Sequence, residues 1–330
     1  MMTLAETIDS EEVMRFKHKL PFDPAHGYTL NELLNIQAPE EAFDYLNFWQ
    51  DAYEQAMEVS TRPRVQESQQ KLPGYHLYDF EYTSLNQLRL GGWIALPDDE
   101  PITRGLIVGH GYGGRSEPDL DFHIPNAAIL FLCVRGISRS QIKGIPSQPL
   151  KHVLHGIHSR DSYIIKGCVA DIWCGTNALI QLIPEATLRL DYVGCSLGGG
   201  LGIMAMAHDH RFDKAHVSVP TFGHQPLRLS LPCTGSGLAL TRYAEKNPEI
   251  IHTLSYFDAA VAARHIKIPI HFANALFDPC VPPPGQFAIY NAVSSPKELH
   301  VLKSGHFGHG TWQKENHAMN REIESFFTEE

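Results

Sequence analysis

The sequence predicts an α/β fold built on a mostly parallel, doubly wound sheet, and three observations carry that prediction. Beyond Pro101, short apolar runs of strand length alternate with helix-like stretches, the pattern of strands covered by helices on both faces. Residues 76–97 instead alternate apolar and polar side chains, as antiparallel strands do. And 330 residues with 43% hydrophobic content are ample for a large core.

The elements follow in chain order. EEAFDYLNFWQDAYEQAME at 40–58 spaces Phe43, Leu46, Trp49, Tyr53 and Met57 three and four residues apart, which predicts an amphipathic helix started by Pro39 and packed through that face. HLYDFEYTS (76–84) and LRLGGWIALP (88–97), joined by a polar turn around Asn86, predict an antiparallel pair. RGLIVGH, ending at His110, and AAILFLCVRG, ending at Gly136, open the parallel part. Residues 161–184 predict a long helix closed by Pro184. LRLDYVG is a strand leading to Gly194, and GGGLGIMAMAHD reads as a helix of small residues. AHVSVP, IKIPIHFAN and KELHVL supply further strands. Between Pro220 and Asp258 the alternation lapses in a stretch containing Pro226, Pro232, Gly235, Gly237 and Pro248. That is too long for an ordinary connection, so a lid or interface insertion is expected over about 221–257. Residues 1–75 are expected to form a helical extension packed on a main domain of residues 76–330.

Composition removes several classes of function. The net charge of −10 argues against a nucleic-acid partner, which would call for a basic face. The longest apolar run, at 127–134, is far too short to span a bilayer. MMTLAETIDS lacks the basic start and apolar core of a signal peptide. The six cysteines show no Cys-x-x-Cys spacing and lie mostly in apolar runs, so buried, reduced thiols are expected rather than a zinc cage. That fits a reducing compartment.

The chemistry is concentrated at Gly194-Cys195-Ser196-Leu197-Gly198, which fits G-x-S-x-G between a predicted strand and a predicted helix. A turn that sharp needs tiny neighbours, which Gly194 and Gly198 supply, and it would lift the Ser196 hydroxyl above the strand ends. A serine nucleophile needs a base, and the base needs an orienting acid, in the chain order Ser, Asp or Glu, His. Asp278 follows the strand IPIHFAN, and His306 lies in SGHFGHG after KELHVL, so both fall downstream at strand C-termini, where α/β sites are built. HGYGG at 110–114 brings glycines to the end of an earlier strand, making the N–H groups of Tyr112 and Leu197 the candidate oxyanion donors.

Taken together, HGYGG, VRG at 134–136, GCSLGGG, SYFDAAVAA at 255–263 and ALFDPCVPP at 275–283 resemble the acetyl xylan esterase / cephalosporin C deacetylase family, over about residues 28–318. The resemblance implies an α/β-hydrolase fold, a Ser196–His306–Asp278 triad and oxyanion donors at Tyr112 and Leu197. It implies removal of acetyl groups from small acetylated sugars, xylo-oligosaccharides and cephalosporin C. It implies no metal or organic cofactor, an intracellular (cytoplasmic) location and a homo-hexamer. Arg135 is expected as structural support near the site. Three departures stand out: Ile137, Leu197 and Phe307 replace residues that are usually Gln, Gln and Glu in that family.

Three other readings stay open at this level. A general carboxylesterase or another serine hydrolase of the same fold would share the triad. A binding protein descended from a hydrolase would share the fold without the reaction. A metal hydrolase would use His306 and His309, with His208 and His210, although this Gly-rich i, i+3 pair lacks the His-Glu-x-x-His helix.

Overall fold

The structure is a computed structural model and describes residues 2–4 and 8–329. Ten strands form one sheet: β1 (Met2–Leu4), β2 (Arg64–Glu67), β3 (Tyr75–Ser84), β4 (Leu88–Pro97), β5 (Arg104–Gly109), β6 (Ala127–Leu132), β7 (Leu190–Cys195), β8 (Lys214–Ser218), β9 (Ile270–Ala275) and β10 (Lys297–Leu302). Their order is β1-β10-β9-β8-β7-β5-β6-β4-β3-β2. All pairings from β1 through β6 are parallel. β6–β4, β4–β3 and β3–β2 are antiparallel. This mostly parallel sheet with an antiparallel edge is the α/β-hydrolase arrangement.

Each strand of the apolar-run region forms where the sequence placed it, because β5, β6 and β9 are buried at almost every residue. The helix Ile164–Leu182 covers one face, burying Cys168, Trp173 and Leu179 among others. A helix unmarked by the sequence reading, Trp312–Thr328, covers the other face through Ile323, Phe326 and Phe327.

The N-terminal region departs from expectation. The predicted helix runs over Tyr45–Met57, and Pro39 lies outside it. Its buried face is Tyr45, Phe48, Trp49, Ala52 and Ala56, while Phe43 and Leu46 are exposed. Two apolar stripes overlap in this segment, and the one carrying Ala52 and Ala56 is the one buried. The first 75 residues also give two strands to the sheet, β1 and β2, and a one-turn helix Leu30–Leu33 closed by a Thr29/Glu32 capping box.

Residues 221–257 hold the helices Gln225–Ser230, Gly235–Ala244 and Ile250–Leu254. The buried Asp258 ties this segment down by accepting the backbone N–H groups of His224, Gln225 and Ala260 at 2.6–3.0 Å. Among the described residues no helix is long and apolar enough to cross a membrane.

All six cysteines are free, but they are not all buried: Cys195 is exposed and Cys280 half-buried. Cys195 lines a cavity of about 300 Å³ beside His306, between the strand ends and the C-terminal helix, with Gly111, Phe122, Leu302 and Trp312.

Candidate active site

Ser196 stands between β7 and the helix Leu197–Met206 with φ 52° and ψ −110°, a strained conformation for a residue with a side chain. Two glycines make the turn possible. A Cβ on Gly194 would fall 2.6 Å from the Gly198 carbonyl, and one on Gly198 would fall 2.6 Å from the carbonyl carbon of Gly109. Backbone bonds fix the rest: Ser196 N–H donates to Ser218 O at 2.9 Å, Gly198 N–H to His110 O at 2.9 Å, and Thr221 N–H to Ser196 O at 3.1 Å.

The structure brings Ser196, His306 and Asp278 together. The Ser196 hydroxyl lies 3.1 Å from Nε2 of His306, and Nδ1 of His306 lies 2.8 Å from Oδ2 of Asp278. The carboxylate dictates the tautomer: Nδ1–H donates to it, leaving Nε2 to accept the serine proton. Asp278 is fully buried and well satisfied. Oδ1 accepts the N–H groups of Cys280 and Val281, and Oδ2 accepts Nε2 of Gln286 at 3.2 Å. Burial disfavours a charged His306, but the Asp278 hydrogen bond and charge outweigh it, and the His306 pKa is raised.

The loop Ser304–Gly310 approaches Asp278 so closely that a Cβ on Gly305 would lie 2.1 Å from Oδ2. Gly305 N–H donates to Phe277 O at 2.9 Å, joining this loop to the one bearing Asp278. Phe307 packs against Phe277 and Phe16, with ring centroids 5.0 and 5.7 Å apart. The second histidine of the loop turns away: His309 rests on Phe16 at 5.1 Å and faces Glu315, with Nε2 3.4 Å from Oε2. His208 stacks on Trp49 of the N-terminal helix, so these rings do not converge with His306 as the metal reading requires. Among the described residues, Asp278, Cys280 and His306 do offer ligand atoms within 4.8 Å of one another. The donor set fits a metal poorly, because Asp278 and His306 are bonded to each other and burial pushes the Cys280 thiol pKa up, away from thiolate.

The N–H groups of Tyr112 and Leu197 have no acceptor among the described residues, so both are open to a ligand. The Tyr112 loop is held by His110, whose Nδ1–H donates to Gly111 O at 2.7 Å while Nε2 accepts Val134 N–H at 3.2 Å. Burial pushes the His110 pKa down to about 3, so this ring stays neutral. Arg135 has a supporting place behind the Tyr112 loop. It is buried in an ion pair with Asp171 at 2.6 Å, and its carbonyl accepts Nε2–H of His152, whose Nδ1 accepts the Tyr112 hydroxyl at 3.4 Å. Asp171, His152 and Gln286 escaped the sequence reading, since no local pattern marks residues that act through tertiary hydrogen bonds. The departures Ile137 and Leu197 are buried and apolar.

The acetyl xylan esterase (AXE1) family model matches residues 27–322. The chain belongs to the acetyl xylan esterase family. That is a family of carboxylic ester hydrolases. The acetyl xylan esterase of Paenibacillus sp. R4 superposes with a TM-score of 0.71 at 23% identity, covering 90% of this chain and 99% of that one. The acetyl xylan esterase 1 of Thermoanaerobacterium sp. JW/SL YS485 gives 0.70 at 20% identity, covering 92% and 99%. At these identities the likeness is one of fold. The acetyl esterase Axe7A of Xylanibacter ruminicola is 24% identical over 159 residues, 44% of this chain, and the match spans 34% of that protein's length.

Proposed function

We propose that this member of the family is a serine esterase that removes acetyl groups from small acetylated sugars such as xylo-oligosaccharides, and from cephalosporin C. The observation that carries the reading is the relay of 3.1 and 2.8 Å from Ser196 through His306 to Asp278, beside two unengaged N–H groups. Ser196 Oγ attacks the ester carbonyl as His306 Nε2 takes its proton, and Asp278 stabilises the resulting imidazolium. The N–H groups of Tyr112 and Leu197 bind the oxyanion, each donor contributing on the order of 3 kcal/mol. His306 then protonates the leaving alcohol, and water repeats the sequence on the acetyl-enzyme. No step calls for a metal or organic cofactor.

Turnover of p-nitrophenyl acetate by wild type and by Ser196→Ala tests the proposal. Activity lost in the variant supports it, and equal rates sink it. The buried apolar Ile137 and Leu197 favour one second reading, an esterase of broader acyl range. A steep preference for acetate over butyrate esters speaks for the first reading, and comparable rates for the second. The same family reading carries a homo-hexamer in a reducing, cytoplasmic setting. Light scattering on purified protein checks the assembly.

A further inference from the structure

Three arginines are buried among the described residues: Arg115, Arg135 and Arg228. Arg115 lies 3.0 Å from Asp119 and Arg135 lies 2.6 Å from Asp171. Arg228, 4% exposed, has no carboxylate within ion-pair distance among the described residues. Among the described residues its one side-chain hydrogen bond is a long contact of 3.4 Å from Nη1 to Gln225 Oε1, and Nε has no hydrogen-bond partner. A guanidinium carries five N–H donors and keeps its charge, so burying it without an anion is costly.

Its position ties this unmet charge to the site. Arg228 lies on the helix Gln225–Ser230 of the insertion, its guanidinium carbon 5.2 Å from the centre of the Phe222 ring. Phe222 follows Thr221, whose N–H holds the Ser196 carbonyl. Nη2 of Arg228, Sγ of Cys233 and the carbonyl of Cys280 all lie within 4 Å of the point a Cβ on Gly237 would occupy. Cys280 N–H in turn donates to Asp278 at 2.8 Å. Burial raises the Tyr112 and Tyr163 phenol pKa values, and the Arg228 charge acts on both in the opposite direction. The Tyr163 hydroxyl is also buried and has no hydrogen-bond partner among the described residues. The guanidinium thus stands among the loop after β8, the loop after β9 and Tyr112, with a second idle donor close enough to feel its charge.

We propose that Arg228 anchors a carboxylate on the substrate, so that this esterase takes acetate esters whose alcohol part bears an acid group, an acetylated sugar acid being one such class. The inference rests on the serine-esterase reading. Acetyl itself has no charge to offer, so the acid belongs to the alcohol. A carboxylate accepts two parallel N–H bonds from a guanidinium fork, and the Phe222 face beneath keeps the fork in plane. The neutral Gln225 orients the group without neutralising it.

A matched pair of esters tests this: 4-acetoxybenzoate and its methyl ester, with wild type, Arg228→Gln and Arg228→Lys. The acid-to-neutral ratio of kcat/KM is expected to fall about tenfold or more in Arg228→Gln, through KM for the acid, with Arg228→Lys between. An unchanged ratio, or equal losses on both esters, overturns the inference. Thermal unfolding separates a structural role, since Arg228→Gln should be no less stable than wild type once an unpaired buried charge is gone. A large drop in Tm would mark a structural cation instead. Calorimetric binding of 4-hydroxybenzoate reads the anchor without turnover and is expected to weaken about tenfold in Arg228→Gln. Equal binding again overturns it. If Ser196→Ala hydrolyses p-nitrophenyl acetate as fast as wild type, the esterase reading itself fails, an outcome distinct from the loss of anion preference.

Discussion

At the end of β7, a single methyl added to Gly198 would fall 2.6 Å from the Gly109 backbone; at the end of β10, one added to Gly308 or Gly310 would meet nothing within 4 Å. Ser196 and His306 come from these two ends and stand 3.1 Å apart. The serine is placed by backbone sterics and backbone hydrogen bonds, in a conformation its own side chain disfavours. The histidine is placed by side chains: the Asp278 carboxylate, the approach of Gly305 to it, and the aromatic packing of Phe307 on Phe277 and Phe16. The Ser196 end is therefore rigid and intolerant of added volume. The His306 end is adjustable in sequence provided Asp278 stays.

The sharpest way to break the base end alone is Asp278→Asn, which keeps the shape and removes the charge and the tautomer control. By comparison with other triads, kcat should fall by about 10⁴-fold while the elbow stays folded. Near-UV circular dichroism together with steady-state kinetics checks both halves of that statement. Breaking the other end with Gly198→Ala should cost stability as well as activity, about 1–3 kcal/mol for the overpacking, read by denaturant unfolding.

A subtler probe is pH. In the proposed mechanism His306 serves as base only when neutral, and its pKa is raised above the ordinary 6.5 by Asp278 despite opposing burial. The acid limb of kcat/KM should therefore lie above pH 6.5 in wild type. In Asp278→Asn only the burial effect remains, so the limb of the residual activity should move to lower pH.

Stability has its own pH dependence, set away from the relay. Burial lowers the pKa of His216, and those of His110 and His208 to about 3, below the unfolded value of 6.5. The unfolded chain then binds more protons, and stability is lost as pH falls below about 6.5. Burial opposes ionisation of Glu322, but the facing rings of His271 and His300 pull its pKa down to about 2 from 4.5, so its contribution is lost as pH falls between those values. The Tm should decline steadily from neutral pH into acid. The smallest effect belongs to Gly308→Ala, where Tm should change by no more than about 0.5 kcal/mol equivalent.

The same contrast explains what the sequence disclosed. The elbow was legible because sterics demand glycine at fixed offsets from Ser196, a local constraint that leaves a local pattern. Asp278 and His306 were legible from their order and from their place after strands. Gln286, His152 and Asp171 were not, because each works across the fold and nothing nearby in sequence marks its partner. The face of the helix Tyr45–Met57 was misjudged where the exposed Phe43 and Leu46 were counted and the buried Tyr45, Phe48, Ala52 and Ala56 were passed over. The C-terminal helix went unmarked, and β1 and β2, at three and four residues, are too short to show a period. Arg228 was invisible as well, since only the tertiary structure shows a buried arginine with no carboxylate within ion-pair distance among the described residues.

On the proposed mechanism Ser196, and no other residue, is the nucleophile that His306 activates. Reaction with a fluorophosphonate followed by intact-mass and peptide analysis tests it most directly. Wild type should gain one adduct, on the peptide holding Ser196, and Ser196→Ala should gain none. An unlabelled wild type, or an adduct that persists in the variant, would contradict the claim.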